Sequence, residues 1–403
     1  MELRLSYRAY RRTFLRPLRT AHGEWTHREG FILRVDAGGG TAYGEVAPLP
    51  DFGTETLSEA DALLARLAET PDMELPAAHP CCAFALSAAK RSLIARDARA
   101  AEPRARNDAA EVPSKVRGKR NADIPVRQQQ SCEQGADPTP QDRNVLPPQK
   151  RQDAASKTEQ ARSLNWTQAA ASAARPVAGL LPGGSSALAS AAAKLAAGYR
   201  SLKWKIGVLA VEEEIALGAE LLGIVPRDVK VRLDGNGGLS LDALARWLDF
   251  LSGFSDRVEF IEQPLPPGAE ATMAAMGASA GVPIALDESL NGSGGGQWLQ
   301  PGAWAGPLVI KPLLMGDLSA LEARLRPVAT QLVYSSVFET VFGLCQALDL
   351  VGQLPASPYA LGFDTAAAFD DPLSPGFAGP RLDMGQPTTI NLDQIWNRLP
   401  HLT

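Results

Sequence analysis

The sequence predicts an α/β protein in which parallel strands are joined by helical crossovers. Two observations support this prediction. From Arg175 onward, short apolar segments alternate with helix-length segments that carry one apolar face. Such repeated β-then-α units imply parallel strands, arranged either as a barrel or as a doubly wound sheet. No GxGxxG motif follows the first of these strands, which weakens the dinucleotide-binding form of the sheet.

The N-terminal region has a different pattern and predicts an α+β unit. Strand-like alternation occurs in FILRVDA and AYGEVAP, on either side of a Gly39-Gly40 turn. Helical patterns follow in SEADALLARLAE and CCAFALSAAKRSLIA. This unit is expected to end near residue 95.

A change of composition separates the two regions. The segment from Asp97 to Arg162 is rich in charged residues, Gln, Pro and Ser, and no aromatic residue lies between Phe84 and Trp166. Such a segment cannot bury enough apolar surface to offset the entropy lost on ordering. We therefore predict a low-complexity, disordered insertion over residues 96–174.

The C-terminal region supplies the predicted β/α units. Its strands are read in SLKWKI, VKVRLD, VEFIE, PIALDE, LVIKP, LVYSS and YALGFD. Two intervening helices place leucine or valine on one face, at Leu241, Leu244, Leu248 and Leu251, and at Leu318, Leu321, Leu325 and Val328.

Composition limits the class of partner. A hydrophobic content of 45%, a net charge of −5 and no apolar run of membrane-spanning length predict a soluble, cytoplasmic protein. The basic N-terminus lacks the apolar stretch of a signal peptide. Neither nucleic acid nor a membrane is expected as a partner, which leaves a small-molecule substrate and a monomer or homo-oligomer. The four cysteines have no metal-binding or redox spacing, at Cys81, Cys82, Cys132 and Cys345.

Three acids end three successive predicted strands. Asp234, Glu262 and Asp287 are separated by 28 and 25 residues, about one βα unit each. An Asp after a strand is by itself more often a helix N-cap than a ligand. Three acids in register, each after an apolar strand, would be buried together, and burial of a charged group without a partner costs free energy. Their oxygens suit a hard divalent cation such as Mg²⁺, for which Mn²⁺ can substitute.

Lysines flank the acids in sequence. Lys203 and Lys205 lie two apart in SLKWKI, so both point to one face of the strand. Lys311 lies one unit after the last acid. A single lysine in an apolar strand usually snorkels to solvent. Three lysines around three acids instead predict proton abstraction next to a carboxylate, with the cation stabilising the enediolate and a lysine acting as base.

Five motifs resemble those of the enolase superfamily, in its muconate-lactonizing-enzyme branch: KWK (203–205), RLDGN (232–236), FIEQP (260–264), ALDES (285–289) and VIKP (309–312). GEVAPLPDFGTET (44–56) and SSVFET (335–340) further resemble the o-succinylbenzoate synthase family. The resemblance implies a modified (β/α)8 barrel of TIM-like β7α7β type over 175–366. It also implies an α+β capping domain formed by 1–95 and the C-terminal tail at 367–403.

The resemblance also implies the role of each site residue. It makes Asp234, Glu262 and Asp287 the metal ligands and Lys205 the acid/base. Lys311 would support the enediolate, Lys203 would tune Lys205, and Asn236 and Glu288 would be supporting polar groups. Substrate contacts are expected from the loops near 20–27 and 48–54 and from the late motif, at Phe52, Thr54, Ser335 and Ser336.

The implied activity is the Mg²⁺-dependent syn-dehydration of 2-succinyl-6-hydroxy-2,4-cyclohexadiene-1-carboxylate to 2-succinylbenzoate, a step of menaquinone or phylloquinone biosynthesis. The same lysines would serve an N-succinyl- or N-acylamino acid racemase or a dipeptide epimerase. Dipeptide epimerases resemble one another in a DxD motif on the last strand, where this chain has Asp364, Thr365 and Ala366. The missing DxD favours the synthase but leaves the acylamino acid racemase open. A non-catalytic barrel that binds a ligand is the third alternative.

Overall fold

A three-stranded antiparallel sheet opens the chain in the computed structural model, which describes residues 3–20, 23–108, 174–292, 294–374, 379–384 and 391–400. The strands β1 (Arg4–Thr20), β2 (Gly23–Ala37) and β3 (Gly40–Val46) pair in that order. The register of β1 against β2 shifts between Thr13 and Leu18, so the four residues between them bulge from the ladder.

Two helices cover this sheet. Helix α1 (Leu57–Glu69) begins at a capping box, in which Thr56 and Glu59 each accept the other's backbone N–H. Helix α2 (Pro80–Asp108) continues beyond residue 95, where the composition changes. The rest of the predicted insertion lies outside the described residues. Contacts divide the chain into one unit made of Met1–Arg96 and Leu164–Thr403 and a second made of Asp97–Ser163.

The first unit also contains a closed barrel of eight parallel strand segments. Its regular strands are β5 (Gly179–Leu181), β6 (Ser201–Lys205), β7 (Lys230–Asp234), β8 (Val258–Glu262), β9 (Ile284–Ala285), β10 (Leu308–Ile310) and β11 (Leu332–Tyr334). Three single bridges complete the ring. Leu286, just after β9, pairs with Leu308 of β10, and the segment at 361–362 pairs with Ser335, just after β11, and with Val177, two residues before β5. This closure confirms the barrel prediction and excludes the doubly wound sheet.

Helices form most of the crossovers around the barrel. They are α3 (Ser186–Ala196), α4 (Val211–Ile224), α5 (Leu241–Ser252), α6 (Glu270–Ala280), α7 (Leu318–Leu325) and α8 (Val341–Gln353). Between β9 and β10, the described residues form the 3-10 turns Glu288–Leu290 and Gly295–Leu299. The predicted apolar residues Leu318, Leu321, Leu325 and Val328 are all buried, although α7 ends at Leu325 and the backbone angles of Val328 are not helical. Leu241 in the first turn of α5 is 58% exposed.

The C-terminal tail returns to the N-terminal sheet, as the resemblance implies. The two-residue strand β12 (Arg381–Leu382) pairs with β4 (Arg175–Pro176), just before the barrel. Helix α9 (Leu392–Arg398) places Trp396 near Tyr43, with ring centroids 5.8 Å apart. The Arg8 guanidinium lies 4.6 Å from the Trp396 ring centroid and donates to its carbonyl. Sheet and tail together therefore form the capping domain.

Glu45 connects the capping domain to the barrel. This buried β3 carboxylate accepts hydrogen bonds from Tyr10 Oη (2.7 Å), from the backbone and hydroxyl of Thr340, and from Gly343 N (2.8 Å). It thus satisfies free N–H groups at the N-terminus of α8. A Cβ at Gly343 would lie 2.6 Å from Glu45 Oε2, so this contact requires glycine there.

We expect Glu45→Ala to lower the free energy of unfolding by about 3 kcal/mol or more, because several buried donors lose a charged acceptor. Urea unfolding followed by circular dichroism measures this difference. Glu29→Ala, at a partly exposed position of the same sheet, should change stability much less. Equal losses in the two variants would contradict the assigned role of Glu45.

No described helix is both long enough and apolar enough to cross a membrane.

Candidate active site

Three carboxylates lie at the same end of neighbouring strands. Asp234 and Glu262 end β7 and β8 and face each other in the strand register, and Asp287 follows β9 by two residues. Their exposed fractions are 8%, 1% and 1%. Because the carboxyl ends of parallel strands share one face of a barrel, residues one βα unit apart meet there.

The lysines lie on two opposite walls of the barrel. Lys205 ends β6 and pairs in register with Asp234, whereas Lys311 directly follows β10. These two strands are four positions apart in an eight-stranded ring, so their side chains enter from opposite sides. This is the arrangement that the order of the motifs along the sequence predicts.

Each lysine has a defined polar partner. Lys203 Nζ lies 2.9 Å from Asp234 Oδ2 and 2.6 Å from Glu262 Oε1, so it bridges two of the acids. Lys311 forms an ion pair with Asp287. Lys205 instead donates to the side-chain oxygen of the neutral Asn236. Among the three lysines, Lys205 is therefore the one that donates to a neutral side chain instead of a carboxylate.

This difference in partners separates the pKa values of the lysines. Burial lowers the pKa of Lys205, and the charge of Lys203 lowers it further, against the attraction of Asp234. Burial also lowers the pKa of Lys203 and Lys311, but their acidic neighbours outweigh this effect and raise both pKa values. Lys205 is thus the lysine most easily deprotonated.

The acids are crowded enough to perturb one another. Burial, and next the charge of Asp234, raises the pKa of Glu262 to about 8. Burial raises the pKa of Asp287 to about 6, although Lys311 opposes the shift. Burial also acts on Asp234, but Lys203 and Lys205 lower its pKa overall. Burial is the first cause of both upward shifts, and neighbouring acids add to it.

The predicted metal ligands are not arranged around a common ion as they stand. In the described part of the chain, no three Asp, Glu, His or Cys side chains form a metal-binding group. Lys203 and Lys311 contact carboxylate oxygens of all three predicted ligands. The donor set nevertheless fits a divalent cation, because Asp287 Oδ1 is buried without a hydrogen-bond partner among the described residues. The metal site remains a prediction.

Asn236 and Glu288, the predicted supporting groups, contact each other beside Lys205. Asn236 accepts from Lys205, and its amide nitrogen lies 3.2 Å from Glu288 Oε1. Its backbone N–H donates to Asp234 Oδ1 at 3.2 Å. Asn236 has a φ of 45°, a left-handed conformation that Asn tolerates better than most residues. This turn directs the amide toward the base.

Gln263 was missed as a site residue, although it lies in the FIEQP motif. The fully buried amide oxygen accepts from the backbone N–H groups of Asp287 (3.0 Å) and Ser289 (3.2 Å). The amide nitrogen donates to Leu265 O and Ser289 Oγ. The side chain therefore fixes the backbone that carries the third acid. An uncharged polar residue directly after a buried strand acid was the available signal.

A cavity of about 1000 Å³ lies between the capping domain and the barrel mouth. The capping domain contributes Leu15, Arg16, Trp25 and Phe52 to its lining. The barrel side includes residues of the charged group just described: Lys203, Lys205, Asp234, Asn236, Asp287 and Lys311. The charged group thus lines a cavity of the size that small-molecule sites usually have.

Three of the four residues predicted to contact substrate lie at the cavity, and one does not. Phe52, Ser335 and Ser336 line the cavity, and the Phe52 ring centroid lies 4.8 Å from Lys311 Nζ. The Ser336 hydroxyl donates to Glu339 Oε2 at 2.8 Å. Thr54 lies outside the described cavity lining. Its hydroxyl accepts the Leu49 N–H at 2.8 Å, so it shapes the capping loop instead.

Two family models match the chain. The N-terminal domain of MenC matches residues 17–93, and the enolase C-terminal domain-like family matches residues 187–299. The o-succinylbenzoate synthase of Thermosynechococcus vestitus is 29% identical over 346 residues, which cover 84% of this chain and 85% of that protein.

Solved structures extend the comparison to the fold. The o-succinylbenzoate synthase of Thermosynechococcus elongatus, with Mg in its active site, has a TM-score of 0.66 and 26% identity, and covers 98% of this chain and 100% of that chain. The L-Ala-D/L-Glu epimerase of Bacillus subtilis has a TM-score of 0.68 over 94% of this chain and 95% of that one. At 16% identity, this second likeness concerns the fold alone.

The capped barrel, its motifs and both family matches place the chain among the enzymes of the enolase superfamily. Within that superfamily it resembles the o-succinylbenzoate synthases. The family resemblance read from the motifs is therefore confirmed, and so is the predicted fold class.

Proposed function

We propose that this chain is an o-succinylbenzoate synthase, a hydro-lyase of menaquinone or phylloquinone biosynthesis. It would convert 2-succinyl-6-hydroxy-2,4-cyclohexadiene-1-carboxylate to 2-succinylbenzoate and water. The observation that carries the proposal is the placement of Lys205 and Lys311 on opposite walls, with three buried carboxylates between them in strand order. Similarity to a synthase over most of both chains supports this choice of substrate.

Lys205 carries the proton in the proposed reaction. It removes the hydrogen from the carbon that bears the carboxylate and then, as the conjugate acid, protonates the hydroxyl that leaves from the same face. One C–H bond and one C–O bond break, water departs, and the new double bond completes the aromatic ring. Asn236 holds the Lys205 amine toward the cavity.

The other charged residues balance the charge that develops on the substrate carboxylate. Asp234, Glu262 and Asp287 would hold a divalent cation, which stabilises the negative charge on that carboxylate when bound. Lys311 presents a second positive charge from the opposite wall, and the Phe52 ring beside it limits water access. Lys203 compensates Asp234 and Glu262 from within the barrel.

An N-succinylamino acid racemase is the second candidate function. It needs the same pair of opposed lysines, one for each face of the carbon, and the geometry provides them. The dipeptide epimerase is less well supported, because both oxygens of Asp364, the remaining acid of the expected DxD motif, are engaged within the protein. A ligand-binding barrel without activity would not need Lys205 beside a neutral partner.

One assay separates these candidates. Purified protein with Mg²⁺ is mixed with the cyclohexadiene substrate, and the loss of its absorbance is followed together with the appearance of 2-succinylbenzoate. We expect rapid dehydration. Racemisation of N-succinyl amino acids without dehydration would replace the proposal with the second candidate, and the absence of both reactions would support the binding protein.

A further inference from the structure

A second group of polar residues lies at the cavity wall where the barrel closes. Asp364 follows the last strand segment, and its side chain is only 7% exposed. Its Oδ1 accepts from Tyr199 Oη at 2.7 Å, and its Oδ2 accepts from the Leu180 backbone N–H at 2.9 Å. Lys194 Nζ forms an ion pair with the same Oδ2. Both carboxylate oxygens are thus occupied by groups of the protein.

Lys194 belongs to the last turn of α3, and its neighbours restrict its position. Its ammonium lies 4.7 Å from the Tyr199 ring centroid. A Cβ at Gly179 would lie 3.2 Å from Lys194 Cδ and 3.1 Å from Tyr199 Cδ1, so both side chains pack on this glycine. The side chain remains 25% exposed, and Lys194 and Asp364 both line the active-site cavity.

The charges around this end of the cavity disfavour a cationic ligand. Among the described lining residues, Asp234 and Asp287 belong to the catalytic group, and Asp364 is already paired with Lys194. The exposed Arg16 of the capping domain lines the same cavity. An approaching ammonium would therefore meet like charges, and the Asp364 carboxylate is already paired, so its binding costs free energy.

We infer that Lys194 determines substrate specificity. Its ammonium occupies the position on Asp364 that the ammonium of a ligand would otherwise take. The site then accepts substrates whose far end is anionic or neutral and rejects those with a free ammonium. This inference rests on the proposed function and deepens it, since it explains why a barrel of this superfamily would take a succinyl-bearing acid rather than a dipeptide.

The test uses two probes that differ at the N-terminus, which is a free ammonium in L-Ala-L-Glu and a neutral acetamide in N-acetyl-L-Ala-L-Glu. Calorimetric titration of the full-length protein with Mg²⁺ present gives the ratio of their Kd values. We expect wild type to favour the acetylated probe. Lys194→Met keeps the aliphatic stem and frees Asp364, so the ratio should shift at least about tenfold toward the free dipeptide. The double variant with Asp364→Asn should lose that shift.

Asp364→Asn tests the same inference from the other side. It leaves the Lys194 ammonium without its carboxylate, so N-succinyl-L-alanine should gain affinity relative to N-acetyl-L-alanine by about tenfold. Thermal unfolding of each variant measures any loss of stability. If the Lys194–Asp364 pair only holds the barrel closed, both variants should lose stability without a change in either Kd ratio.

Unchanged ratios in folded Lys194→Met and Asp364→Asn proteins would overturn the inference, as would failure of Lys194→Met to bind the free dipeptide. These results are independent of turnover. The proposed function fails instead if wild type does not dehydrate the cyclohexadiene, whatever the binding ratios are.

Discussion

Lys205→Ala is expected to lower kcat/KM for dehydration by a factor of about 10³ or more, because both proton transfers lose their carrier. An Mg²⁺-dependent rise in Tm should remain, since Lys205 donates its hydrogen bond to Asn236 rather than to a predicted metal ligand. Steady-state kinetics of the purified variant and a thermal titration with Mg²⁺ measure the two effects separately.

Lys230 provides a matched control for this substitution. It begins β7, at the opposite end of the barrel strands, and its exposed ammonium donates to the backbone carbonyl of Asp256. Lys230→Ala should keep wild-type kcat/KM. If Lys205→Ala kept more than a tenth of wild-type activity, another group would have to be the base.

The barrel could be predicted from the sequence where its strands are long enough to show a residue pattern. Strands β6, β7 and β8 are five residues each and coincide with the predicted segments. The regular part of β9 is only two residues long, because the chain turns into a 3-10 helix directly after Asp287. Apolar periodicity identifies such a segment but cannot show that a single bridge completes its pairing.

The first strand was not predicted, and its arginines explain why. Arg8 and Arg12 are buried in β1, where a sequence pattern would place apolar residues. Arg12 contacts Asp371 and two backbone carbonyls near Phe338, whereas Arg8 donates to carbonyls of the tail. These partners lie more than 300 residues away in sequence, so local alternation could not reveal that the arginines face inward.

The positions of the acids and lysines at the strand ends could be predicted from the sequence, but their side-chain contacts could not. The order of acids and lysines followed from one charged residue at each strand end, and the register brings them together. The bridge from Lys203 to two acids depends on side-chain length and register together. The role of Gln263 depends on a backbone φ of 32°, which no residue pattern specifies. Turn conformation therefore decides which neighbours of the acids support them.

The second large effect is expected from Glu262→Gln, which should remove the stabilisation of the protein by Mg²⁺. A ligand present at a hundredfold excess over its Kd raises the free energy of unfolding by about 2.7 kcal/mol. Loss of one of three carboxylate ligands should raise the Kd for Mg²⁺ by about 100-fold or more, because substitution of groups that merely support ligands already costs 10- to 100-fold. At that concentration, most of the stabilisation disappears.

The measurement is Tm as a function of Mg²⁺ concentration, repeated with Mn²⁺ and after addition of EDTA. Asp256→Asn is the control, since this acid lies just before β8 and its side chain is 68% exposed. Its titration curve should match that of wild type. A wild-type curve for Glu262→Gln would exclude Glu262 as a ligand. Equal losses in both variants would mean that the ion acts through general charge screening, so the buried carboxylates would need no metal to explain their position.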